Sequence, residues 1–286
     1  MYRIVKLPGG AHSVHSLEHH ETFHPVVGPT AEAEALYVRQ LRLAERVRTQ
    51  AGPFVMWDVG LGAAANVITV LDALKHIPCS LRMLSFDLAF AALEFALDHT
   101  DALSYLADYE APLRQLVANG HVEFANGACR VNWQAHIGDF PSLLAQPATQ
   151  ALEKPHAIMF DAFSPATNPA MWTLALFTDL FRLLRPARSC ALPTYSRSTM
   201  LRVTLLLAGF FVGVGHATGE KEQTTIAANT LEFIDEPLGC RWLQRARRST
   251  SAEPLWEPVY RQAPISEETW QTLLRHPQFA GLQPYR

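Results

Sequence analysis

The sequence lacks three features that would point to a secreted or membrane protein. Its 286 residues include four scattered cysteines with no C-x-x-C pair, so neither a disulfide framework nor a zinc site is expected. No basic segment followed by an apolar core opens the chain, and therefore no secretion signal is predicted. The longest apolar run, residues 203–214, contains Thr204 and two glycines and is too short to span a bilayer. These absences predict a cytoplasmic protein that binds no membrane.

Strong charge of either sign is also missing. The formal net charge of −3 predicts no general attraction to nucleic acid. Hydrophobic residues make up 49% of the chain, which is enough for a sizeable core. Five histidines lie within the first 24 residues, but no pattern of histidines with acids completes a metal site there, and no metal is expected. The predicted division is an N-terminal extension, irregular and then helical (1–50), a main domain (51–235) and a C-terminal extension (236–286).

The chain is organised around a strand, a glycine turn and a helix over residues 54–71. An apolar run ends in Asp58, Gly60 and Gly62 follow, and an alanine-rich segment continues at helical spacing. The two glycines can adopt backbone angles closed to other residues, which lets a ligand approach the main chain. The helix N-terminus behind them offers unpaired N–H groups. The pattern is typical of the opening of a nucleotide-binding α/β domain, although an ordinary buried strand and tight turn would also produce it.

Three later strands also end in an acid. Asp87 closes the second strand, where a carboxylate can accept hydrogen bonds from ribose hydroxyls or cap the next helix. Asp139 follows the third strand and suits either an adenine amino group or a helix cap. Asp161 ends the fourth strand and opens a loop that runs to Asn168-Pro169, a predicted helix start. The carboxyl edge of an open α/β sheet is where ligands bind, so these acids are candidate site residues.

The predicted fold is α/β, with a Rossmann-like, mostly parallel sheet of seven strands and helices on both faces. The last two strands, near residues 210–217 and 223–229, are expected to form an antiparallel C-terminal hairpin. Asn126-Gly127 is a strong signal for another hairpin within the third strand region.

Several motifs together carry a resemblance to a known family. They are Asp58-x-Gly60-x-Gly62-x-x-x-Asn66, Ser85-Phe-Asp87, Gly138-Asp139, Asp161-Ala-Phe-Ser-Pro-x-x-Asn-Pro-x-Met-Trp172 and Thr194-Tyr-Ser196. On these motifs the chain resembles class I S-adenosylmethionine-dependent methyltransferases over about residues 24–229. It is most similar to the methyltransferase domain of the bacterial enzymes that complete 5-methylaminomethyl-2-thiouridine at the tRNA wobble position. Phe23-His-Pro25 and Glu34-Ala-Leu-Tyr37 are similar to stand-alone members that lack the flavin-dependent oxidase domain.

The resemblance implies a cofactor, a partner and a set of site residues. The cofactor would be S-adenosylmethionine, the methyl donor, and the partner would be tRNA. The implied cofactor-binding residues are Asp58, Gly60, Gly62, Asn66, Asp87 and Asp139. The implied catalytic residues are Asp161 and Phe163, and the implied substrate-binding residues are Ser164, Pro165, Tyr195 and Lys221. Asp161 would hold the acceptor amine. Phe163 and Tyr195 would stack a splayed-out base, as in proteins that act on single-stranded RNA loops, or would simply belong to the core.

Departures from the family pattern keep other functions open. Ala64 stands where the family usually has glycine, and Pro186-Ala187 stands where it has Pro-Gly-Gly. Lys221-Glu-Gln-Thr224 replaces a basic stretch of the tRNA-modifying members, so another amine or small molecule is an alternative acceptor. Gly60-x-Gly62-x-x-Ala65 also satisfies the dinucleotide fingerprint, which makes an NAD(P)-binding oxidoreductase the enzymatic alternative. A catalytically degenerate binding module is the non-enzymatic one.

The C-terminal extension carries a group of arginines with no acid among them. They are Arg241, Arg245, Arg247 and Arg248. The group predicts either a surface that contacts phosphates or a solvated helix face. Nothing in the sequence indicates an oligomeric state.

Overall fold

The chain forms two β-sheets, a small antiparallel one near the N-terminus and a large mixed one. The computed structural model describes residues 1–25, 27–184, 188–219 and 222–281. The strands of the small sheet are β1 (Tyr2–Lys6), β2 (His12–Ser16) and β3 (Glu21–Thr22). The irregular start predicted for the N-terminal extension is therefore wrong. Gly9 and Gly10 do not interrupt structure there, because they form the turn between β1 and β2, where Gly10 N–H donates to the Leu7 carbonyl at 2.9 Å.

The large sheet has eight strands among the described residues. They are β4 (Phe54–Val59), β5 (Cys79–Asp87), β6 (His121–Asn126), β7 (Cys129–Ile137), β8 (Ala157–Phe160), β9 (Ala191–Thr194), β10 (Phe211–Gly215) and β11 (Thr224–Ala228). Their order across the sheet is β10-β11-β9-β8-β4-β5-β7-β6. In sheet order, β9, β8, β4, β5 and β7 are each parallel to the next strand. The strand β11 is antiparallel to both of its neighbours, β10 and β9, and β6 is antiparallel to β7. The α/β class and the C-terminal antiparallel hairpin are confirmed.

Helices cover both faces of this sheet. They are α1 (Pro29–Ala33), α2 (Leu43–Thr49), α3 (Ala65–Leu74), α4 (Ala91–Leu97), α5 (Glu110–Asn119), α6 (Phe140–Leu144), α7 (Pro147–Gln150), α8 (Leu174–Leu183), α9 (Thr199–Ala208), α10 (Cys240–Arg248) and α11 (Glu267–Leu274). The apolar cores on the two faces are named by their helices. The α3-side core includes Leu36, Met56, Val67 and Leu71, and the α8-side core includes Trp57, Phe160, Trp172 and Leu201. Within the part of the chain that the structure describes, no helix is long and apolar enough to cross a membrane.

The sheet has one strand more than the seven expected, because both arms of the Asn126-Gly127 hairpin join it as β6 and β7. Gly127 turns with φ +61°, and a Cβ there would lie 2.3 Å from the Lys75 carbonyl oxygen just after α3. The hairpin turn therefore packs directly against the end of that helix, and only glycine fits.

The strand order reverses at β4, and this reversal creates a crevice. The chain continues from β4 to β5 on one side, whereas β8 pairs with β4 on the other. The helix that follows β4, α3, and the helix that follows β8, α8, pack in different cores. The chain therefore leaves the adjacent carboxyl ends of β4 and β8 toward opposite faces of the sheet, and this edge is the usual ligand position in such sheets.

Two predicted helices differ from those observed. The helical part predicted for the N-terminal extension is interrupted by a π-helical turn, Glu34–Arg39, and by Arg42 at φ +48°. The helix expected to start at Asn168 begins at Leu174 instead. Asn168 makes no capping bond and precedes a short 3-10 turn, whereas the Thr173 hydroxyl accepts the N–H of Leu176 at 3.3 Å and caps α8.

The C-terminal segment packs against the α8-side core. Trp242 and Leu243 of α10 and Leu273 of α11 are all buried there. The Gln278 side chain pairs with the backbone of Val212 in β10, accepting its N–H at 2.7 Å and donating to its carbonyl at 2.8 Å. The segment thus covers the outer edge of the sheet. The division into three regions at residues 50 and 235 stays a prediction.

Gly60→Ala is expected to destabilise the fold. Gly60 has φ +101°, and an added Cβ would lie 2.6 Å from the Asp161 carbonyl oxygen, so backbone strain and a clash both oppose the change. Gly120→Ala is the matched control, because Gly120 has φ +73° and its added Cβ would meet nothing within 4 Å. Urea unfolding should show a loss of about 1–2 kcal/mol in the control, from strain alone. Gly60→Ala should lose at least ~1 kcal/mol more. Equal losses would contradict a tight contact between the ends of β4 and β8.

Candidate active site

The turn after β4 has a backbone that only small residues allow. Gly60, Gly62 and Ala64 have φ angles of +101°, +50° and +60°. An alanine in the left-handed region costs roughly 1–2 kcal/mol, so surrounding contacts must hold Ala64 in place. One such contact is the Tyr105 hydroxyl, which donates to the Ala63 carbonyl at 3.1 Å. Leu61, the one large residue of the turn, is buried in the α3-side core.

Asp87, at the carboxyl end of β5, stabilises this turn by accepting backbone hydrogen bonds. One carboxylate oxygen accepts the N–H of Gly62 at 2.8 Å, and the other accepts the N–H of Leu88 at 2.7 Å. Burial raises the pKa of Asp87, and these backbone hydrogen bonds lower it in part. Each carboxylate oxygen has a second lone pair. Asp87 can therefore accept hydrogen bonds from a ligand while it holds the turn.

Asp139 lies at the same edge but is engaged as a helix cap. The N–H of Gly138 donates to the Asp87 carbonyl at 2.8 Å, which brings the end of β7 beside the end of β5. The exposed Asp139 carboxylate accepts the N–H of Ser142 at 3.1 Å and its hydroxyl at 2.6 Å, and so caps α6. The capping alternative is realised, and contact with an adenine stays a prediction.

Asp58 lies beneath the turn rather than on its surface. Its side chain is fully buried, and Oδ2 accepts the Ser85 hydroxyl at 2.7 Å. The Ser85 oxygen in turn accepts the indole N–H of Trp133 at 2.9 Å. Burial raises the pKa of Asp58 to about 8, although the Ser85 hydrogen bond opposes the shift. One oxygen of Asp58 is therefore committed to the core, which leaves Oδ1 as the atom available to a ligand.

Asp161 follows β8 and lies against the glycine turn. Asn66, in the first turn of α3, donates its side-chain N–H to Asp161 Oδ2 at 2.8 Å. His24 Nε2 lies 3.5 Å from the same oxygen, and His24 Nδ1 lies 4.0 Å from Glu32 Oε2. The Asp161 side chain is 16% exposed. A carboxylate is thus held between an amide and an imidazole at the mouth of the crevice.

Four buried polar atoms near these residues have no hydrogen-bond partner within the described ranges. They are the Tyr37 hydroxyl, Asp58 Oδ1, Asn66 Oδ1 and Thr194 Oγ1. Burial, with the nearby negative charge of Asp161, raises the pKa of the Tyr37 phenol well above its usual value. Leaving a buried polar group unpaired costs about 1–3 kcal/mol, and native structures rarely tolerate it without a role. Together the four atoms indicate a site for a polar ligand.

The small N-terminal sheet holds the loop after β8 in place. The Ser164 N–H donates to Glu21 Oε2 at 3.1 Å, and the hydroxyls of Ser164 and Thr167 donate to Glu21 Oε1. Ser164 is therefore engaged within the protein. Pro165 is partly buried beside it in the same loop. Contact of Ser164 and Pro165 with a substrate stays a prediction.

Phe163 belongs to an aromatic cluster over the crevice. Its ring centroid lies 4.3 Å from that of His19 and 5.6 Å from that of Phe23. The Phe23 ring comes within 3.2 Å of the point where a Cβ on Gly62 would stand. Trp172 anchors the segment by donating its indole N–H to the Phe163 carbonyl at 2.7 Å. Because Phe163 is only partly buried, part of its ring stays accessible.

Tyr195, which follows β9, supports the same loop. Its hydroxyl donates to the Ala162 carbonyl at 3.0 Å, and its ring meets Trp172 edge-on at 6.1 Å. Burial raises the pKa of this phenol well above its usual value. Lys221, the other residue predicted to bind substrate, lies outside the described residues.

Sequence reasoning assigned no site role to the residues that reach the crevice from the N-terminal region. They are Glu21, His24, Glu32 and Tyr37. The resemblance of Phe23-His-Pro25 and Glu34-Ala-Leu-Tyr37 to the family was the one available signal, and it assigned no role to either motif. In the described ranges, no group of three or more histidine, cysteine, aspartate or glutamate side chains could hold a metal ion.

Comparison with known proteins identifies the family. A family model described as an S-adenosyl-L-methionine-dependent methyltransferase matches residues 105–230, a stretch that includes β6 to β11 and the Asp161 loop. The chain belongs to the S-adenosyl-L-methionine-dependent methyltransferases. The match favours a methyltransferase over the NAD(P)-dependent oxidoreductase and the degenerate module, and it confirms the predicted cofactor.

Curated relatives are similar to most of this methyltransferase. The tRNA 5-methylaminomethyl-2-thiouridine biosynthesis bifunctional protein MnmC of Aeromonas hydrophila subsp. hydrophila is 31% identical over 206 residues, which are 68% of this chain and 30% of that protein. The protein of the same name from Methylibium petroleiphilum is 29% identical over 246 residues, which are 82% of this chain and 35% of that protein. The chain thus spans about a third of the length of these curated relatives.

Two solved structures share the fold of the methyltransferase. MNMC2 from Aquifex aeolicus superposes with a TM-score of 0.69 at 21% identity, covering 96% of this chain and 84% of that one. A spermidine synthase in complex with the transition state analogue AdoDATO superposes with a TM-score of 0.51 at 11% identity, covering 98% and 82%. At these identities the likeness concerns the fold alone.

The residues at the crevice fit the cofactor of this family. S-adenosylmethionine carries a sulfonium cation, an amino-acid end and a ribose. Asp87, beside the turn from Gly60 to Ala64, has lone pairs for ribose hydroxyls. The unpaired amide oxygen of Asn66 suits a positively charged ammonium group.

Asp58→Asn is expected to change how stability depends on pH. The pKa of an unfolded aspartate is about 3.9. Because burial raises the pKa of Asp58 to about 8, the folded chain keeps a proton that the unfolded chain releases. The free energy of unfolding therefore falls as pH rises between these values, by up to ~1.4 kcal/mol per pH unit, and levels off above them. The variant cannot ionise and escapes this loss.

Urea unfolding at pH 5, 6, 7 and 8 measures the effect. The stability of Asp58→Asn relative to wild type should rise steadily across the series. Asp179→Asn, at an exposed pair with Arg182, serves as the control and should follow the wild-type pH curve closely. Parallel curves for wild type and Asp58→Asn would contradict a protonated Asp58.

Proposed function

We propose that this methyltransferase methylates the exocyclic aminomethyl nitrogen of a uridine or 2-thiouridine at the wobble position of tRNA. The observation that carries the proposal is the Asp161 carboxylate, which Asn66 and His24 hold at the crevice beside the glycine turn. The names of the curated relatives, which concern 5-methylaminomethyl-2-thiouridine in tRNA, support this acceptor. A tRNA substrate would also place the enzyme in the cytoplasm.

The chemistry requires a neutral amine held in line with the donor. Bound S-adenosylmethionine supplies an electrophilic methyl group on its sulfonium and leaves as a neutral thioether. Asp161 would accept a hydrogen bond from the acceptor amine and direct its lone pair, and it would help remove the proton that the reaction releases. His24, 3.5 Å from Asp161 and 4.0 Å from Glu32, offers that proton a route away from the crevice. Most of the rate enhancement should come from positioning.

The charge of the crevice favours cationic ligands. Beside burial, the carboxylates of Asp161 and Glu32 raise the pKa of the Tyr37 hydroxyl, which shows that two negative charges lie near it. A sulfonium nucleoside, or an acceptor that arrives as an ammonium ion, would offset the repulsion between these carboxylates. A neutral acceptor would gain much less from it.

The aromatic residues would recognise the base. Phe163 keeps part of its ring accessible next to His19, and a flipped-out uracil ring could stack on it. The Tyr195 hydroxyl is engaged with the Ala162 carbonyl, so we assign Tyr195 to shaping the loop with Ser164 and Pro165. Cofactor binding falls to Asp58, Gly60, Gly62, Asn66, Asp87 and Asp139.

A free amine is the second candidate acceptor. The stretch from Lys221 to Thr224 carries little of the positive charge expected for tRNA, and Asp161 would hold the amino group of a small molecule equally well. Methyl transfer from labelled S-adenosylmethionine to undermethylated tRNA, followed by mass spectrometry of the nucleosides, separates the two. Methylation of small amines without methylation of tRNA would favour the second candidate.

Asp161→Ala is expected to abolish most methyl transfer. Loss of a positioned acid–base group lowers rates by about 100-fold or more. Asp161→Asn keeps an oxygen for the Asn66 contact and should lose activity to a similar degree, because the carboxylate charge is gone. Asp161→Asn, which keeps the Asn66 contact, should bind adenosylhomocysteine nearly as wild type does. Full turnover by either one would disprove the role of Asp161, and Asp179→Ala is the surface control.

Asp87→Ala is expected to weaken cofactor binding instead. Hydrogen bonds to a charged group contribute about 1.5–3 kcal/mol, so the dissociation constant for adenosylhomocysteine should rise roughly 10- to 100-fold in calorimetric titration. The loss also frees the N–H of Gly62, which adds to the effect. Asp101→Ala, at an exposed position, is the matched control. An unchanged affinity would show that Asp87 serves only the turn.

A further inference from the structure

Helix α10 has one buried face and one arginine-rich face. The buried residues are Trp242, Leu243 and Ala246, which pack in the α8-side core. Arg241, Arg245 and Arg248 are exposed, and their spacing of four and three residues places them on one side of the helix. Three cations are thus presented together to solvent in a chain whose net charge is −3.

The stability of the helix does not account for these three arginines. Arg247 has a structural role, since it pairs with Glu267 at 2.6 Å and lies over the ring of Trp270 at 5.3 Å. No ion pair joins Arg241, Arg245 or Arg248 to an acidic side chain elsewhere in the described ranges. Arg241 also lies in the first turn of α10, where the helix dipole disfavours a cation.

An open groove of about 540 Å³ runs between α10 and the start of α9. The three arginines line it together with the hydroxyl side chains of Thr199, Ser249 and Thr250. Guanidinium and hydroxyl groups are among the side-chain groups that donate to phosphate oxygens in nucleic-acid complexes. The arginine groove, as we call it, therefore has the donor set of a phosphate-binding surface.

A buried cation adds positive charge near this groove. Arg202 of α9 is 1% exposed, and it donates to the Thr225 hydroxyl at 3.0 Å and to two further neutral oxygens. Burial lowers the pKa of Arg202 to about 10, and the positive charges of Arg245 and Arg197 lower it further. Glu236 offsets part of this repulsion. The proximity of these cations would favour an anion at the groove.

The groove adjoins the candidate acceptor site along the chain. Tyr195, whose hydroxyl binds the Asp161 loop at Ala162, is four residues from Thr199 at the groove. Even fully extended, four residues span only about 14 Å. The exposed Arg197 lies between them. A strand with one nucleotide at Asp161 would therefore have its neighbouring phosphates within reach of the groove.

We propose that the arginine groove binds backbone phosphates of the RNA strand that flanks the methylated nucleotide. The inference rests on the proposed tRNA substrate. The arginines of the C-terminal segment would supply the positive charge for tRNA that the stretch from Lys221 to Thr224 lacks. Phosphate contacts fix the register of a nucleic acid without reading its sequence. The groove would thus orient the anticodon loop, while the crevice selects the amine.

The first test measures RNA binding by the whole chain as a function of salt. The probe is a fluorescent anticodon stem-loop, followed by anisotropy over a range of KCl concentrations. The logarithm of the binding constant falls with the logarithm of salt concentration by about 0.7–0.9 per phosphate contact. The triple variant Arg241→Gln, Arg245→Gln, Arg248→Gln should flatten this slope by about 2 and weaken binding about tenfold at low salt.

A second triple variant controls for net charge. Arg3→Gln, Arg130→Gln and Arg261→Gln remove the same charge from exposed positions elsewhere on the chain. This control should keep the wild-type salt slope and affinity. Both triple variants should bind adenosylhomocysteine as wild type does, which shows that each is folded.

Methyl transfer separates this inference from the proposed function. If the groove variant has a raised KM and an unchanged kcat on a stem-loop containing 5-aminomethyluridine, both phosphate binding by the groove and the proposed acceptor are supported. If its salt slope and KM are unchanged, the groove does not bind the RNA, and the proposed acceptor is unaffected. If RNA binds through the three arginines but is never methylated, the proposed acceptor is wrong and phosphate binding by the groove is retained. A wild-type chain that binds no RNA at low salt would overturn the groove.

Discussion

The hydrogen bond from Asn66 to the Asp161 carboxylate joins the two halves of the sheet where the strand order reverses. Asn66 belongs to the helix after β4, and Asp161 belongs to the loop after β8. The same junction requires Gly60, because the Asp161 carbonyl oxygen occupies the space of a side chain there. A residue that pushed the strand ends apart would move the carboxylate away from the turn. Fold and site therefore depend on one close contact.

Polar groups in the crevice are left partly unsatisfied, and the arrangement is complete only with a ligand. The Tyr37 hydroxyl and single oxygens of Asp58 and Asn66 are buried without a partner within the described ranges. The positive φ of Ala64 adds backbone strain at the same turn. A positively charged ligand that reached these oxygens would recover part of this cost on binding. The unpaired groups thus lower the stability of the free enzyme and raise its affinity for the cofactor and the amine.

The sequence predicted the elements that local chemistry determines, and it missed those that long-range contacts determine. Strand ends, the glycine turn and the Asn126-Gly127 hairpin follow from short patterns. The burial of Asp58 does not, because β4 is apolar on both faces and gives no alternation that orients a side chain. Glu21 holds Ser164 across 143 residues of chain, which no local pattern encodes.

A crystal structure with bound adenosylhomocysteine would show whether the crevice holds the cofactor. We expect the homocysteine end over the turn at Gly60 and Gly62, the ribose at Asp87, and the sulfur directed toward the Asp161 carboxylate. We also expect the unpaired oxygens of Asp58 and Asn66 to lie on the side of the ligand. A cofactor bound away from the carboxyl ends of β4 and β8, or a sulfur turned away from Asp161, would contradict this arrangement.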